Sequence, residues 1–435
     1  MQLPPSPARK GAALVAGLAL LAASACGSGG TSPAPQDAAG PVELSVSLFG
    51  TFGYQETGLF AEYEKQNPGV TIKYDSTQSE DAYWPALQTR LASGKGSSDV
   101  QGIEVARIAD VVTNQQDLWT DLRDTAAGSA VAGYLPWKEK AATTKDGAVL
   151  GLGTDIGPMA LCYRSDLLGK AGLPTDPATL AAQASTWQDY LALGEKYKAS
   201  APAGSAWTDS AGGLYNAIVS GEQKIYYDAS GALVYADNPA VKQAFDTAAG
   251  AASTGLTAKL EQFVDPGWDA GFGSGTFATI ACPSWMIGYI KGKAGDAGAG
   301  KWNVTALPGG RGANWGGSYL AIPAASPHKE QAAKLITWLT APEQQARLFT
   351  KVGNFPSTTG GIAQVSSTTD PYFAGAPIGK IYSAAAQAAP VQILGPDDGV
   401  LKKVMTKALL SVETNGVPPA DAWNAAQQQA RQQIG

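Results

Sequence analysis

Few residues in this 435-residue chain could do covalent or metal chemistry. There is one histidine, His328, and there are three cysteines, Cys26, Cys162 and Cys282. Serine–histidine–aspartate and cysteine–histidine nucleophiles need an imidazole, and the usual zinc sites need imidazoles or clustered thiolates. We predict a helix with Ser326 as its N-cap and Pro327 as its first residue, so His328 lies in the exposed first turn, where a catalytic role is not expected. The chain also lacks a Walker loop, a G-x-S-x-G elbow, a dinucleotide glycine pattern and an EF-hand loop, so we predict no metal and no cofactor.

Carboxylate chemistry stays open on these grounds. A glycosidase needs only two acidic side chains on opposite sides of a sugar, and the chain has 37 acidic residues. Acidic side chains also accept hydrogen bonds from hydroxyl groups without any proton transfer. Carboxylates alone therefore do not indicate catalysis.

Cys26 stands between an apolar segment and a run rich in glycine, serine and proline, LLAASACGSGGTSPAP. Two basic residues, an apolar stretch over residues 11–23 and small residues before the cysteine are typical of an export signal. The apolar stretch is shorter than the roughly 20 residues of a spanning helix. The segment resembles a bacterial lipobox, although Ala23 stands where leucine is preferred. We predict a signal peptide over residues 1–25, a lipid on Cys26 and a flexible linker over residues 26–41; a plain secretory signal is the alternative.

Composition indicates an exported, folded chain. Hydrophobic residues make up 44% and charged residues 16%, and the length favours two domains. Removal of residues 1–25, which carry two of the 31 basic residues and no acidic one, leaves a net charge of about −8. Such a charge argues against nucleic acid as a partner. Cys162 and Cys282 then remain as an even pair in an oxidising compartment, where either a disulfide or two buried thiols would fit.

The first elements alternate between strand and helix. Residues 42–48 alternate apolar and polar side chains, a helix follows until residues 67–69, and a second strand begins at Val70. A helix over residues 82–93 and a strand over residues 99–105 repeat the unit. The pattern predicts an α/β fold with a parallel sheet and helices on its faces.

Later elements are mainly helical, with a return to short strands. We predict a helix capped at Asn238, a strand that turns into a helix near Pro283, and a helix with Thr340 and Glu343 as a capping box. Two short strands lie in WNVTALPGG and GGSYLAIPA. These returns suggest two lobes between which the chain crosses more than once.

Seven stretches resemble, in the same order, segments of the family 1 extracellular solute-binding proteins. This is the maltose-binding-protein-like branch that serves carbohydrate ATP-binding-cassette (ABC) importers. The stretches are FAEYEKQNPGVTIKY, SSDVQGIEV, TDIGPMALCYRSDLLGKAGLP, GSGTFATIACPSWMIGYI, VTALPGG, GGSYLAIPAASPHKEQAAKLITWLTAPEQQ and GNFPS. The resemblance covers nearly all of residues 42–435.

The resemblance implies a two-lobed periplasmic-binding-protein fold, type II-like, with a hinge of three crossing segments. The crossings are expected near residues 156–160, 302–307 and 340–343. Lobe 1 would comprise residues 42–157 plus 305–341, and lobe 2 residues 158–304 plus 342–435. The cleft between the lobes would close over one sugar.

Aromatic side chains suit the apolar faces of a sugar, and acidic groups suit its hydroxyls. The resemblance places Trp285 and Trp315 at stacking positions in the cleft, and Trp207 and Asp209 where the second lobe supplies an aromatic and an acid. Trp268 is a further candidate, because its glycine-rich surroundings have little helical or strand character. For a tryptophan in general, packing in the core is the alternative. For Trp207 and Asp209 the alternative is an ordinary loop, and for Trp268 it is the anchor of a loop.

Two acids and one aromatic complete the predicted ligand-binding set. Glu104 ends a predicted strand, where open α/β sheets place ligands. Asp155 precedes the first expected crossing, and Phe52 lies in the turn after the first strand. A solvated or salt-bridged carboxylate is the alternative for both acids.

The predicted function is the sugar-binding subunit of an ABC importer. The protein would be a monomer and not an enzyme, held on the outer side of the cell membrane by the lipid on Cys26. It would capture a di- or oligosaccharide and deliver it to the membrane-spanning permease subunits. The alternative is a cell-surface carbohydrate-active enzyme.

Overall fold

The computed structural model describes residues 40–434. The predicted signal peptide, the lipidation site Cys26 and all but residues 40–41 of the predicted linker lie outside the described residues. Within the described part, none of the helices combines the length and the apolar character needed to cross a membrane.

The described residues form nine strands, seventeen α-helices and five short 3-10 helices. The strands are β1 (Val42–Phe49), β2 (Val70–Thr77), β3 (Val100–Glu104), β4 (Leu152–Gly153), β5 (Met159–Arg164), β6 (Ala206–Thr208), β7 (Phe277–Pro283), β8 (Trp302–Ala306) and β9 (Ser318–Ala321). The helices are α1 (Leu59–Gln66), α2 (Glu80–Ser93), α3 (Val105–Asn114), α4 (Pro136–Ala141), α5 (Ser165–Lys170), α6 (Pro177–Gln183), α7 (Trp187–Ser200), α8 (Ala211–Val219), α9 (Pro239–Ser253), α10 (Pro266–Ser274), α11 (Met286–Ala294), α12 (Lys329–Leu339), α13 (Pro342–Val352), α14 (Thr359–Val365), α15 (Ile378–Ala388), α16 (Asp398–Asn415) and α17 (Pro419–Ile434). The 3-10 helices are Gln116–Leu118, Leu122–Asp124, Gly128–Gly133, Asp296–Gly298 and Pro371–Phe373.

The first sheet has the strand order β2-β1-β3-β9-β4. β1 is parallel to β2 and β3, as the alternation of strand and helix predicts. β9 is antiparallel to both β3 and β4, so the sheet is mixed rather than wholly parallel. The reason is that β9 arrives from a distant part of the chain and not through a local strand–helix–strand crossover.

The second sheet has the order β6-β7-β5-β8. β5 is antiparallel to β7 and β8, and β6 is parallel to β7. All residues of β5 and β7 are buried, because helices cover both faces of these strands. A disulfide joins Cys162 of β5 to Cys282 of β7, with 5.5 Å between their Cα atoms. The sequence had left this pairing open.

Each sheet packs between two layers of side chains. On the first sheet, Leu44, Val46 and Leu48 of β1 pack with residues of α1 and α12, and the opposite face packs with α2 and α3. On the second sheet, one face packs with α7, α8 and α9, and the other packs with α10, α11 and α15. The two sheets thus have separate cores.

The chain passes between the sheets three times. Residues 154–158 connect β4 to β5, close to the predicted crossing at 156–160. Residues 307–317 connect β8 to β9; the prediction of 302–307 was too early, because residues 302–306 belong to β8 itself. The third passage is α13, where Leu348 packs in the first core and Phe349 in the second. α13 begins at Pro342, so the predicted position at 340–343 covers only the start of this passage.

The predicted capping box at Thr340 and Glu343 is wrong. Ala341 is the N-cap of α13, and no side chain caps it. The hydroxyl of Thr340 donates to the carbonyl oxygen of Ile336 at 2.7 Å and accepts from the Tyr134 hydroxyl at 2.6 Å. The Thr340 hydroxyl oxygen, which was expected to cap α13, is instead bound to Tyr134 and Ile336.

The predicted helix start at Ser326 is also wrong. α12 begins at Lys329, and His328 occupies its N-cap. The Ser326 hydroxyl instead donates to the Asp99 carboxylate at 2.7 Å, and His328 Nδ1 lies 3.3 Å from the same oxygen. His328 is therefore part of a structural contact with Asp99 at the start of α12 and not part of a nucleophilic site.

Candidate functional site

A cavity of about 1010 Å³ lies where elements of the two sheets face each other. One wall comes from the turn after β1, the start of α3 and the segment before β9; the other comes from α8, α11 and α16. The volume is that of a site for a small organic molecule. Because each sheet supplies one wall, a molecule in the cavity would contact both.

Trp285 and Trp315 form the aromatic part of the cavity wall. Their rings meet edge to face, with 5.8 Å between centroids and 77° between planes. The indole nitrogen of Trp285 donates to the carbonyl oxygen of Trp315 at 3.1 Å. Trp285 is the N-cap of α11, and Trp315 lies in the crossing at residues 307–317. The two rings are thus fixed to each other although they belong to different walls.

Gly157 makes this arrangement sterically possible. The backbone N–H of Trp315 donates to the carbonyl oxygen of Gly157 at 2.8 Å, so two crossing segments run side by side. A β-carbon on Gly157 would overlap the carbonyl oxygen of Trp315. Glycine is required here because of close backbone approach rather than an unusual φ angle.

Glu104 is the polar residue at the end of β3. It is the N-cap of α3, and its Oε2 accepts a hydrogen bond from the backbone N–H of Ala106 at 2.6 Å. Burial raises the pKa of the Glu104 carboxyl, and the nearby Lys402 ammonium opposes that rise. Burial lowers the pKa of Lys402, and Glu104 opposes that change. The two groups stand in the same poorly solvated part of the cavity.

Lys402 also lies over the Trp315 ring, with its ammonium nitrogen 5.1 Å from the ring centroid. An ammonium above an indole face is a favourable cation–π contact. The face of Trp315 is therefore bordered by a hydrogen-bond donor that belongs to α16.

Asp155 lies in the first crossing, as predicted, and it also lines the cavity. Its Oδ1 accepts from the Thr154 hydroxyl at 2.7 Å and from the backbone N–H of Ser318 at 2.9 Å. Burial raises the pKa of its carboxyl, and Lys138 opposes that rise. Its position is set by two neighbouring crossings.

Lys138 lies behind this group and is fully buried. Its ammonium nitrogen is 3.8 Å from the centroid of the Tyr319 ring and makes no hydrogen bond to the described residues. Burial lowers the pKa of Lys138 to about 8.

Phe52 lines the cavity but is only 6% exposed. Its ring packs edge to face on Phe49 at 5.2 Å and contacts Tyr54 at 6.0 Å. Most of its surface therefore serves the first core, and only an edge is available to a ligand.

Three of the predicted ligand-binding residues do not reach the cavity wall: Trp207, Asp209 and Trp268. Trp207 has no exposed surface, because β6 directs it into the second core against Tyr190 and Tyr197. We predicted that these three side chains contact the ligand, but the structure buries them away from the cavity.

Trp268 and Asp209 are buried together instead. Trp268 has no exposed surface and packs on Phe272 with 4.9 Å between centroids. Its indole nitrogen donates to Asp209 Oδ2 at 2.8 Å, and Gln262 Nε2 donates to the same oxygen at 2.6 Å. Trp268 lies on α10, so the glycines around it did not mark a loop.

Several residues of the cavity wall were not predicted. Phe263 and Tyr289 extend its aromatic surface, and Arg107 pairs with Glu80 at 2.9 Å on the other side. α16 contributes one continuous face. The residues of that face are Gly399, Lys402, Lys403, Thr406, Lys407, Leu410 and Glu413. Their spacing of three and four residues is that of any single helix face, and all but Gly399 and Leu410 are polar, so hydrophobic periodicity did not mark them. Phe263 stands in a segment without periodicity.

Over residues 40–434, no three histidine, cysteine or acidic side chains are grouped so that they could hold a metal ion.

The sequence model of one protein family, the bacterial extracellular solute-binding proteins, matches residues 58–375, about three quarters of the chain. The chain belongs to this family. A solved structure of a family 1 extracellular solute-binding protein is 41% identical, with a TM-score of 0.76, and the match covers 90% of this chain and 99% of that one. This solute-binding protein therefore has the two-lobed α/β fold of its family, with a hinge of three crossing segments.

Two further relatives carry names that include a ligand. The lactose-binding protein of Rhizobium radiobacter is 28% identical over 289 residues, which are 64% of this solute-binding protein and 65% of the relative. The chain thus spans slightly less than two thirds of that curated relative. The ABC transporter associated binding protein of B. animalis subsp. lactis Bl-04, solved with β-1,6-galactobiose, is 21% identical. Its match covers 90% of this chain and 98% of that one with a TM-score of 0.77, so it shares the fold.

Proposed function

We propose that this solute-binding protein is the sugar-binding subunit of an ABC importer. It captures a di- or oligosaccharide in the cavity between its sheets and delivers it to the membrane-spanning permease subunits. The names of the lactose-binding relative and of the galactobiose-bound neighbour support this class of ligand.

The observation that carries the proposal is the pairing of Trp285 and Trp315 beside buried polar groups. A sugar ring has apolar C–H faces that stack on aromatic rings and hydroxyl edges that need hydrogen-bond partners. Glu104, Asp155 and Lys402 supply acceptors and a donor around the two indoles. A purely apolar ligand would leave these groups desolvated and unpaired, which is unfavourable.

Glu104 and Asp155 act as hydrogen-bond acceptors in this proposal and not as an acid and a base. Each has one oxygen bound by a backbone N–H, from Ala106 and Ser318 respectively. Such bonds fix the carboxylates in place and favour their ionised form. The saccharide leaves the cavity unaltered, so the protein is not an enzyme.

The proposal includes the arrangement in the cell. A lipid on Cys26 would hold the monomeric protein at the outer face of the cell membrane. The lobes would be residues 42–157 with 307–341 and residues 158–306 with 342–435, because residues 305–306, which were predicted in lobe 1, belong to β8 of the second sheet. They would move about the three crossings. Substitution of Cys26 by serine is expected to release the protein from the membrane fraction into the medium.

A saccharide screen by intrinsic tryptophan fluorescence tests the proposal. The panel comprises lactose, β-1,6-galactobiose, maltose and cellobiose with their higher oligomers. We expect saturable changes with at least one oligomer series, because Trp285 and Trp315 line the cavity. Chromatography of the recovered sugar should show no cleavage. Cleavage that a Glu104→Gln substitution abolishes would establish a carbohydrate-active enzyme instead.

A further inference from the structure

The segment between α9 and α10 is held in an unusual backbone conformation. Among the non-glycine residues of the described chain, positive φ angles occur at Lys259 (61°), Phe263 (65°) and Ala374 (53°). Two of these lie within this one segment. The left-handed conformation is unfavourable for a bulky residue such as phenylalanine, and it persists only where the surroundings hold it in place.

Asp209 holds the segment on both sides of Phe263. Its Oδ2 accepts from the Gln262 side chain at 2.6 Å and from the Trp268 indole at 2.8 Å. Its carbonyl oxygen accepts from the backbone N–H of Leu260 at 3.3 Å. Asp209 is itself 1% exposed, so these contacts belong to the buried part of the fold.

The conformation directs the Phe263 ring to the cavity. Its ring packs on Trp268 at 4.6 Å, contacts Tyr289 at 5.8 Å and lies 6.0 Å from Trp285. Despite these contacts it is 37% exposed and lines the cavity. An aromatic side chain that is partly exposed beside a cavity offers a surface on which a sugar ring can stack.

The ring continues the aromatic wall. Phe263 is 6.0 Å from Trp285, and Trp285 is 5.8 Å from Trp315, so the three rings follow one another in contact. Val264, which is 63% exposed, adds apolar surface at the same end. The wall is thus longer than the pair of tryptophans alone.

We propose that Phe263 is a third stacking platform that selects saccharides of three or more rings; this inference rests on the proposed function. Asp209 positions Phe263 through Gln262 and Trp268. A disaccharide can occupy the Trp285 and Trp315 end without Phe263. A longer chain reaches Phe263 and gains a further C–H stacking contact.

The first test compares chain lengths. Wild type and Phe263→Gly are titrated by calorimetry with two to four rings of the β-1,6-galactose series and of the maltose series. We expect wild type to bind three rings about tenfold more tightly than two, and Phe263→Gly to lose that gain while it keeps its disaccharide affinity within about twofold. Leu233→Ala, which removes a similarly exposed apolar side chain outside the cavity wall, should change neither value.

The strained backbone at Phe263 is tested separately, by thermal unfolding. Glycine adopts φ near 65° without strain, whereas alanine does not. We therefore expect Phe263→Gly to melt about 1 °C above Phe263→Ala, although both lack the ring. Equal melting temperatures would contradict the strained conformation.

A double-mutant cycle tests Asp209 as a positioning residue. Asp209→Ala should weaken trisaccharide binding in the wild-type background and have no further effect on affinity in Phe263→Gly. Asp209→Asn, which keeps an acceptor oxygen, should retain most of the affinity. A loss of equal size in both backgrounds would show a general structural role. Gln262→Ala, which removes one of the two donors, gives a milder version of the same test.

The failures are distinguishable. If wild type binds no saccharide of either series, the proposed function fails and this inference fails with it. If wild type binds them and Phe263→Gly has the same preference for chain length, only the role of Phe263 is overturned.

Discussion

At the scale of single residues, the side chains that reach the cavity differ in kind from those that stabilise the fold around it. Trp285 and Trp315 are linked by a hydrogen bond and both line the cavity, although Trp315 is only 8% exposed. Trp207 and Trp268 are equally large but fully buried. Sequence reasoning could name tryptophans suited to a sugar, but only the packing separates platforms from core.

Truncation of Trp285 tests the platform directly. Trp285→Ala should weaken saccharide binding by about 2 kcal/mol, roughly thirtyfold, because the ring lies at the centre of the aromatic wall. Calorimetry with the tightest-binding saccharide of the panel measures it. Trp423→Ala is the matched control, since Trp423 packs on Phe245 and does not line the cavity. Equal affinities for Trp285→Ala and wild type would remove Trp285 from the site.

Asp398 makes the stability of the protein depend on pH. Burial raises the pKa of its carboxyl to about 7, and the neighbouring Asp397 and Glu104 carboxylates add to the rise. In the unfolded chain its pKa is near 3.9. The folded state therefore binds the proton more tightly, so this contribution to stability is full below about pH 4 and is lost as the pH rises through about 7.

Asp398→Asn should remove that contribution. Between pH 4 and 7 the free energy of unfolding of wild type should fall by at least about 1 kcal/mol relative to the variant. Urea denaturation at pH 4.5, 6 and 7.5 measures the difference. Glu413, whose pKa is also raised to about 7, is present in both proteins and cancels in the comparison. Parallel pH profiles would show that Asp398 does not titrate as described.

At the scale of elements, local sequence patterns predicted the ends of helices correctly where the hydrogen bonds that cap them are local. Asn238 caps α9 through a hydrogen bond from the backbone N–H of Ala240 at 3.1 Å, and Pro239 is its first residue, as the sequence indicated. Thr340 carries an equally suitable cap side chain, yet its hydroxyl binds Tyr134 and no longer caps a helix. The competing partner lies far away in the sequence, so no local pattern could reveal it.

Local patterns did not mark the segments that line the cavity. The α16 face is mainly polar, so the hydrophobic periodicity of the helix does not show which of its residues line the cavity. Phe263 could not be predicted either, because its role depends on a strained backbone that Asp209 holds from another element. Strain of this kind is a property of the assembled fold and leaves no composition signal.

Gly157 offers a test of how the crossings place the aromatic wall. Gly157→Ala introduces a β-carbon that overlaps the Trp315 carbonyl oxygen, so the two segments must separate. We expect a destabilisation of about 2 kcal/mol and a loss of saccharide affinity of about tenfold. Thermal unfolding and calorimetry measure the two effects.

Gly250→Ala is the control for this substitution. Gly250 lies within α9, and a β-carbon there meets nothing within 4 Å. Alanine should stabilise this helix by about 0.5–1 kcal/mol and leave the affinity unchanged. A Gly157→Ala protein with wild-type stability and affinity would contradict the close packing of the crossings.

At the scale of the whole molecule, the order of strands and helices along the chain predicted the two-lobed fold, whereas the pairing of distant strands did not follow from it. β9 pairs with β3 in an antiparallel register, Gly102 opposite Leu320. β9 follows all four strands of the second sheet along the chain. The sequence pattern indicated that the chain returns to strands, but it did not indicate which distant strand β9 pairs with or in which direction.

The two walls of the cavity contact each other through the Trp285–Trp315 hydrogen bond, through Lys402 above the Trp315 ring and through one exposed ion pair. Lys403 of α16 pairs with Asp81 of α2 at 2.9 Å, and both side chains are about half exposed. An exposed pair of this kind contributes about 1 kcal/mol or less. A saccharide that contacts both walls would add to these contacts and favour the closed arrangement.

Calorimetric titration of the mature protein with the saccharide panel, followed by chromatography of the recovered sugar, tests the central claim most directly. We expect one molecule of a di- or oligosaccharide to bind per chain with a saturable heat, and the sugar to return intact. Absence of binding across the panel, or recovery of cleaved sugar, would contradict the account.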